Sequence, residues 1–121
     1  MRLSVGRFTV FIDLADTQAG QLLGVALPLF SKAEPWGDCL HFEVPLRFGR
    51  DRTARLNGRL GDVYLWAEES RILLPFGMTP ISHDGEVRLP APCNVLGTLS
   101  DWAVLRGVHP SDKVTLERDG G

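Results

Sequence analysis

Ala33-Glu34-Pro35-Trp36-Gly37-Asp38 opens directly onto Cys39-Leu40-His41-Phe42-Glu43-Val44-Pro45. The second stretch alternates with period two. Leu40, Phe42 and Val44 share one face and Cys39, His41 and Glu43 the other, as expected of a β-strand. The first stretch gathers a rigid proline, a large aromatic, a permissive glycine and a carboxylate at the mouth of that strand. Loops at strand ends are where barrels and sandwiches place their pockets. This corner predicts a β architecture and a place to look for a site.

The same periodicity recurs outward from it. Leu3 and Val5, then Phe8, Val10, Ile12 and Leu14, flank Gly6-Arg7 and read as a hairpin. Asp16-Thr17 supplies capping oxygens, and Ala19, Leu22, Leu23, Ala26 and Leu27 follow at helical spacing until Pro28 stops the run. This predicts a helix over 16–27. Val63-Tyr64-Leu65-Trp66 and Arg71 to Phe76 read as an antiparallel pair, with Pro75 at an edge or a bulge. Asn94 to Leu99 reads as a further strand, Ser100-Asp101 opens a helical turn near 101–106, and Lys113 to Glu117 forms the last strand.

Leu46 to Leu60 and Gly77 to Pro92 read as irregular excursions, and Asp119-Gly120-Gly121 as a frayed end. About eight short strands with one helix predict an all-β domain spanning 1–121, a closed or nearly closed barrel. The helix caps one end of it, because its apolar stripe must be buried against something.

Composition narrows the class. The 121 residues suit one domain, and 44% apolar with 23% charged residues is ordinary for a soluble protein. A net charge of -2 argues against a general nucleic-acid binder. Arg47, Arg50, Arg52, Arg55 and Arg59 share their stretch with Asp51, and read either as a solvated, mobile excursion or as an anion site. The N-terminus alternates instead of forming an apolar signal core, and no run of about 18 apolar residues occurs. A cytoplasmic chain with no membrane partner is expected. Cys39 and Cys93 are too few for a disulfide scaffold and are expected as free thiols, with a bridge between them left open by the sequence.

Each candidate site residue has two readings. Trp36 is a structural anchor that buries about 150–250 Å² or the wall of a ligand pocket. Asp38 bonds turn amides or contacts a ligand. Phe76-Gly77-Met78-Thr79-Pro80 is a strand-to-loop corner, or a set of amides around Gly77 that with the Thr79 hydroxyl holds a ligand oxygen. Asn94 satisfies loop backbone or orients a ligand. Cys39, His41 and Glu43 stand at i, i+2 and i+4 on one strand face, the spacing of strand-borne metal ligands, yet His83 and His109 are isolated and a solvated face explains the same pattern. No metal or cofactor is expected. Cys93 lacks a neighbouring base, and no Ser-His-Asp set, phosphate loop or dinucleotide fingerprint is present.

Three stretches resemble a known family. They are Leu27-Pro28 with Ser31 through Trp36-Gly37-Asp38 to Phe42 and Pro45, then Gly61-Asp62-Val63-Tyr64 with Trp66, then Phe76-Gly77-Met78-Thr79-Pro80 leading to Asn94-Val95-Leu96-Gly97. In order and spacing they resemble the small cyclophilin-like proteins of bacteria and archaea. The resemblance covers nearly the whole chain and implies a minimal cyclophilin-type barrel, with no settled activity attached. The Phe-His-Arg strand motif of prolyl-isomerising cyclophilins is absent, as are their Gly-Gly-Asp and Ser-Met-Ala-Asn stretches. Arg71 and Arg47 are the candidates to replace that arginine.

The leading reading is a binding module for a small molecule or short peptide. Trp36, Phe42 and Phe76 supply apolar walls, and Asp38, Thr79 and Asn94 the orienting polar groups. No catalytic residue is assigned. The alternatives are a diverged prolyl isomerase, or another small-molecule isomerase or lyase, and a structural subunit that homodimerises through an exposed strand edge.

Overall fold

A computed structural model describes residues 1–119. Gly120 and Gly121, where most of the frayed end was expected, lie outside the described residues. The local signals of residues 1–28 produce the hairpin and the helix they predict, the helix running Gln18–Ala26 within the expected 16–27. β1 (Arg2–Val5) and β2 (Phe8–Leu14) form the hairpin, with Arg2 opposite Phe11 and Val5 opposite Phe8. α1 (Gln18–Ala26) starts at Thr17, whose Oγ1 accepts the Gly20 N–H at 3.1 Å, one of the first-turn donors that has no helical partner. Ala19 and Leu23 join the core and cap it, while Leu22 and Val25 stay exposed.

The remaining strands are β3 (Leu29–Lys32), β4 (Glu34–Pro35), β5 (Cys39–Glu43), β6 (Arg55–Asn57), β7 (Asp62–Trp66), β8 (Arg71–Pro75), β9 (Arg88–Leu99) and β10 (Lys113–Glu117). Short 3-10 turns occupy Ala67–Glu69 and Trp102–Gly107, the second where the sequence predicts a helical turn. The strands form one antiparallel sheet in the order β3-β10-β1-β2-β9-β7-β8-β5-β4, with β6 pairing β9 beside this path.

The two ends of that order are one run of chain. β3 lies on β10, with Leu29 opposite Leu116, and β4 lies on β5, with Glu34 opposite His41. Only Ala33 separates them. The sheet therefore curls into a nearly closed barrel. Counting β3 and β4 as one stave and setting β6 aside leaves eight staves from ten strands.

Three elements depart from the sequence reading. Strand β6 (Arg55–Asn57) forms within the Leu46–Leu60 run expected to be irregular, because it finds a partner in β9. The Leu29–Pro35 run carries no clean alternation, because its outward Phe30 is apolar yet 71% exposed. Strand β9 begins at Arg88 instead of Asn94, despite Pro90 and Pro92. Prolines are tolerated in a strand where no ladder bond is asked of them. The part of β9 that contains them pairs only with β6, in an irregular register.

The core fills the barrel, with Leu3, Ile12, Phe42, Leu65 and Leu96 at its centre. A second apolar cluster lies on the opposite face of β5, β7, β8 and β9. It contains Cys39, Tyr64, Leu73, Leu89 and Cys93, with Trp36, Trp66 and Val95 packed around them. The stretch around β6 helps cover it, since Gly58 packs against Tyr64, Val87 and Leu89. Burial on both faces explains why Val63-Tyr64-Leu65 and Ile72-Leu73-Leu74 are unbroken apolar runs.

Strand β9 must also pass close to β2. A Cβ at Gly97 would stand 2.3 Å from the Asp13 carbonyl oxygen, backbone that has no room to retreat. Gly97→Ala is expected to cost about 1–3 kcal/mol, the usual penalty for overpacking. A urea midpoint equal to that of the wild type would show that the barrel does not depend on this approach.

Candidate functional site

The Trp36 corner is a tight turn. The Trp36 N–H donates to the Cys39 carbonyl at 2.7 Å and the Cys39 N–H to the Trp36 carbonyl at 3.2 Å, with Gly37 at a φ of +57°. Gly37 lies against Pro80, where a Cβ would meet Cδ at 2.7 Å. The Asp38 N–H donates to the Met78 carbonyl at 2.9 Å, and its own carbonyl accepts the Phe76 N–H at 2.8 Å. Arg106 completes the corner. It donates to Asp38 Oδ2 at 3.2 Å and to the Phe76 carbonyl at 3.0 Å, and its guanidinium carbon lies 5.3 Å from the centre of the Phe76 ring.

Trp36, Asp38, Phe76 and Thr79 are thus brought to one corner, and their polar groups are largely engaged within the protein. Thr79 is buried, and its hydroxyl donates to the Arg88 carbonyl at 2.6 Å. Phe42 and Asn94 lie elsewhere. Phe42 is 1% exposed and packs in the barrel core. Asn94 is equally buried; its Oδ1 accepts the Asp51 N–H at 2.9 Å and its Nδ2 donates to the Gly49 carbonyl at 2.8 Å. The Arg-rich stretch, read as a mobile excursion, is therefore tied down from inside. The Val95 N–H adds a bond to Thr53 Oγ1 at 2.8 Å.

An open groove lies at the far end of β5. It has a volume of about 750 Å³ and separates residues 43–48 from the 67–70 turn. The Val44 N–H donates to the Ser70 carbonyl at 2.9 Å and joins the two walls at their base. Val44 and Ala67 are buried, and Phe48 packs half-buried against the core. Glu43, Arg47, Glu68 and Glu69 surround this apolar base with charge. Ser70 is left-handed, at a φ of 52° and ψ of 48°, a conformation rare outside glycine and asparagine. Such residues concentrate at functional sites.

A second hollow of about 230 Å³ shares Arg47 and Phe48 with the groove and reaches Gln18, Ala19 and Leu22 of α1. Arg50 pairs with Glu68 between the two walls. Two further hollows lie apart, one beside α1 near Met1 and Val25 and one between Gly6 and Gly107. None of these four concavities is lined by the six residues chosen from the sequence. The groove residues escaped notice because the two segments are about 20 positions apart and carry no motif. Their one signal is charge: the Arg run from Arg47 faces the acidic Glu68-Glu69 pair.

Beside the groove, Arg71 stands on the outer face of β8. Its Nη1 lies 3.1 Å from His41 Nδ1 and 3.3 Å from Glu34 Oε2, and its Nη2 lies 3.9 Å from Glu43 Oε2. A guanidinium can only donate, so His41 Nδ1 accepts and the neutral ring keeps its proton on Nε2. Burial, then the Arg71 charge, hold the His41 pKa below 6.5, against the opposing pull of Glu34. Cys39 and Cys93 are buried free thiols, pushed up to about 12 chiefly by desolvation, so both are poor nucleophiles. Among the described residues, no group of three His, Cys, Asp or Glu side chains is placed to hold a metal ion. No helix among them is long and apolar enough to cross a membrane.

The closed strand order, the single capping helix and the doubly covered wall define a small cyclophilin-type barrel. The chain belongs to the cyclophilin-like family, whose model matches residues 1–117. The solution structure of a hypothetical protein from Archaeoglobus fulgidus is similar, with 29% identity and a TM-score of 0.83 over 97% of this chain and 92% of that one. The structure of McbB in complex with tryptophan shares the fold at 18% identity and a TM-score of 0.71, over 99% of this chain but 45% of that one. No curated protein matches the chain.

The depressed His41 pKa makes stability depend on pH. Below the ordinary value of 6.5 the unfolded chain takes up a proton that folded His41 resists. Stability is then fully present above that value and falls as the pH drops toward the folded pKa. His41→Gln is expected to flatten this dependence, measured as urea midpoints from about pH 7.5 down to about pH 5. An unchanged slope would place the acid sensitivity in other groups.

Proposed function

We propose that the protein is a binding module for a small molecule or short peptide, which seats in the groove between residues 43–48 and 67–70. One observation carries this reading: the groove combines the half-buried apolar side chains of Leu46 and Phe48 with a charged rim. Its volume of about 750 Å³ lies within the range of roughly 300–1,000 Å³ usual for ligand sites. The Trp36 corner is the competing seat. Its weakness is that Thr79 is buried with its hydroxyl on the Arg88 carbonyl and Asp38 is already engaged by Arg106.

A diverged prolyl isomerase is the second reading, and Arg71 is what favours it. This guanidinium is fixed on the outer face of the barrel, where a cation could stabilise a twisted prolyl amide. Its donors already meet His41 and Glu34, so a substrate would have to displace one of them.

The test is a ligand screen by thermal shift, followed by amide-resolved NMR titration of each hit. Shifts confined to Glu43–Phe48 and Ala67–Ser70 are the expected result. Shifts centred on Trp36 to Thr79 would move the seat to the corner, and no binder at all would favour the structural-subunit reading. In parallel, an isomerisation assay on a proline peptide is expected to show no acceleration. Acceleration that disappears in Arg71→Lys would instead establish the enzymatic reading.

A further inference from the structure

We infer that the groove selects a zwitterion: a ligand with a carboxylate and an ammonium group carried on an apolar body, as in a short free-ended peptide. The inference rests on the groove being the binding site and adds the chemistry of what it takes.

Four charged side chains line the groove, two of them already matched and two not. Glu43 has Arg71 within 3.9 Å, and Glu68 is paired with Arg50. Among the described residues, Arg47 and Glu69 enter no ion pair or side-chain hydrogen bond. They have opposite signs and belong to the two different segments that wall the groove. Both are exposed, so in the free protein water satisfies them at no cost.

A ligand changes that balance. Its body covers the half-buried Leu46 and Phe48 and displaces water from the rim. A neutral or singly charged ligand leaves Arg47 or Glu69 dehydrated without a partner, which is costly. A zwitterion satisfies both. Its carboxylate meets the planar fork of Arg47 in two parallel bonds, and its ammonium meets the Glu69 carboxylate. Because the two charges sit on separate segments and do not reach each other, the ligand needs its own charges at separated ends. Peptide termini provide that.

The test uses one peptide series in four forms. Di-, tri- and tetrapeptides beginning with phenylalanine and ending in alanine are made with both ends free, acetylated only, amidated only, and blocked at both ends. Each is titrated into the wild type, Arg47→Gln and Glu69→Gln, with binding read from the groove amides. Both substitutions are at exposed positions, and retained folding is checked by the unaffected barrel resonances.

At one length or more, the free-ended form is expected to bind roughly tenfold more tightly than either singly blocked form, the effect of one charged contact. Arg47→Gln should erase the preference for a free carboxylate, and Glu69→Gln the preference for a free amine. If blocked forms shift the groove amides as strongly as free-ended ones at every length, the inference fails and the groove reading stands. If no peptide shifts the groove while another compound does, the outcome is the same. If nothing tested shifts it, both fail.

Discussion

Ala33 is the point on which the barrel closes. Its N–H donates to the Asp112 carbonyl at 2.9 Å and its carbonyl accepts the Ser111 N–H at 2.8 Å, with no surface exposed. Before it the chain belongs to β10, and after it to β5. One stave thus changes partner across a single buried residue, and closure leaves no long open edge among the described strands. Closure also sets the groove. The Ser31 hydroxyl donates to the Glu43 carbonyl at 2.6 Å across the seam, fixing the end of β5 from which the first wall departs.

Strand β5 then carries a gradient along its outer face. Cys39 is buried under the second apolar cluster, His41 is half-covered beside Arg71, and Glu43 is exposed at the rim of the groove. The inner face shows no such gradient, because Leu40, Phe42 and Val44 all sit in the core. The strand thus passes from a doubly buried wall to a solvated site in five residues. The chemistry of each outward residue follows its depth: an inert thiol, a histidine resisting protonation, and an open carboxylate.

Local signals were legible in the sequence wherever a short segment decides its own structure. The Thr17 cap, the first hairpin, the β7–β8 pair and β10 all belong to this class. Leu29–Pro35 was not, since its strand character depends on partners as near as Leu40 and as far as Leu116 and its outward face carries Phe30. The alternation of β5 was readable and puts Phe42 on one face with Leu40 and Val44; that face lies in the core, although Phe42 was expected as a pocket wall. What alternation cannot reveal is that the opposite face is covered too. The groove was hidden for the same reason as the seam: its walls meet only after the barrel has closed.

The way the groove is held explains which of its charges are free. Arg50 and Glu68 pair across the rim, but both are about half exposed, and such pairs contribute roughly 0–1 kcal/mol. The first wall is secured from beneath instead. Asn94 spends both ends of a buried amide on Gly49 and Asp51, and Thr53 receives the Val95 N–H. Buried bonds of this kind are costly to break, because each leaves an unsatisfied group behind. A wall anchored by neutral buried bonds does not need its surface charges for stability. Arg47 and Glu69 can then stay hydrated and unmatched, and under the proposed reading the preformed wall spares a ligand much of the ordering cost of binding.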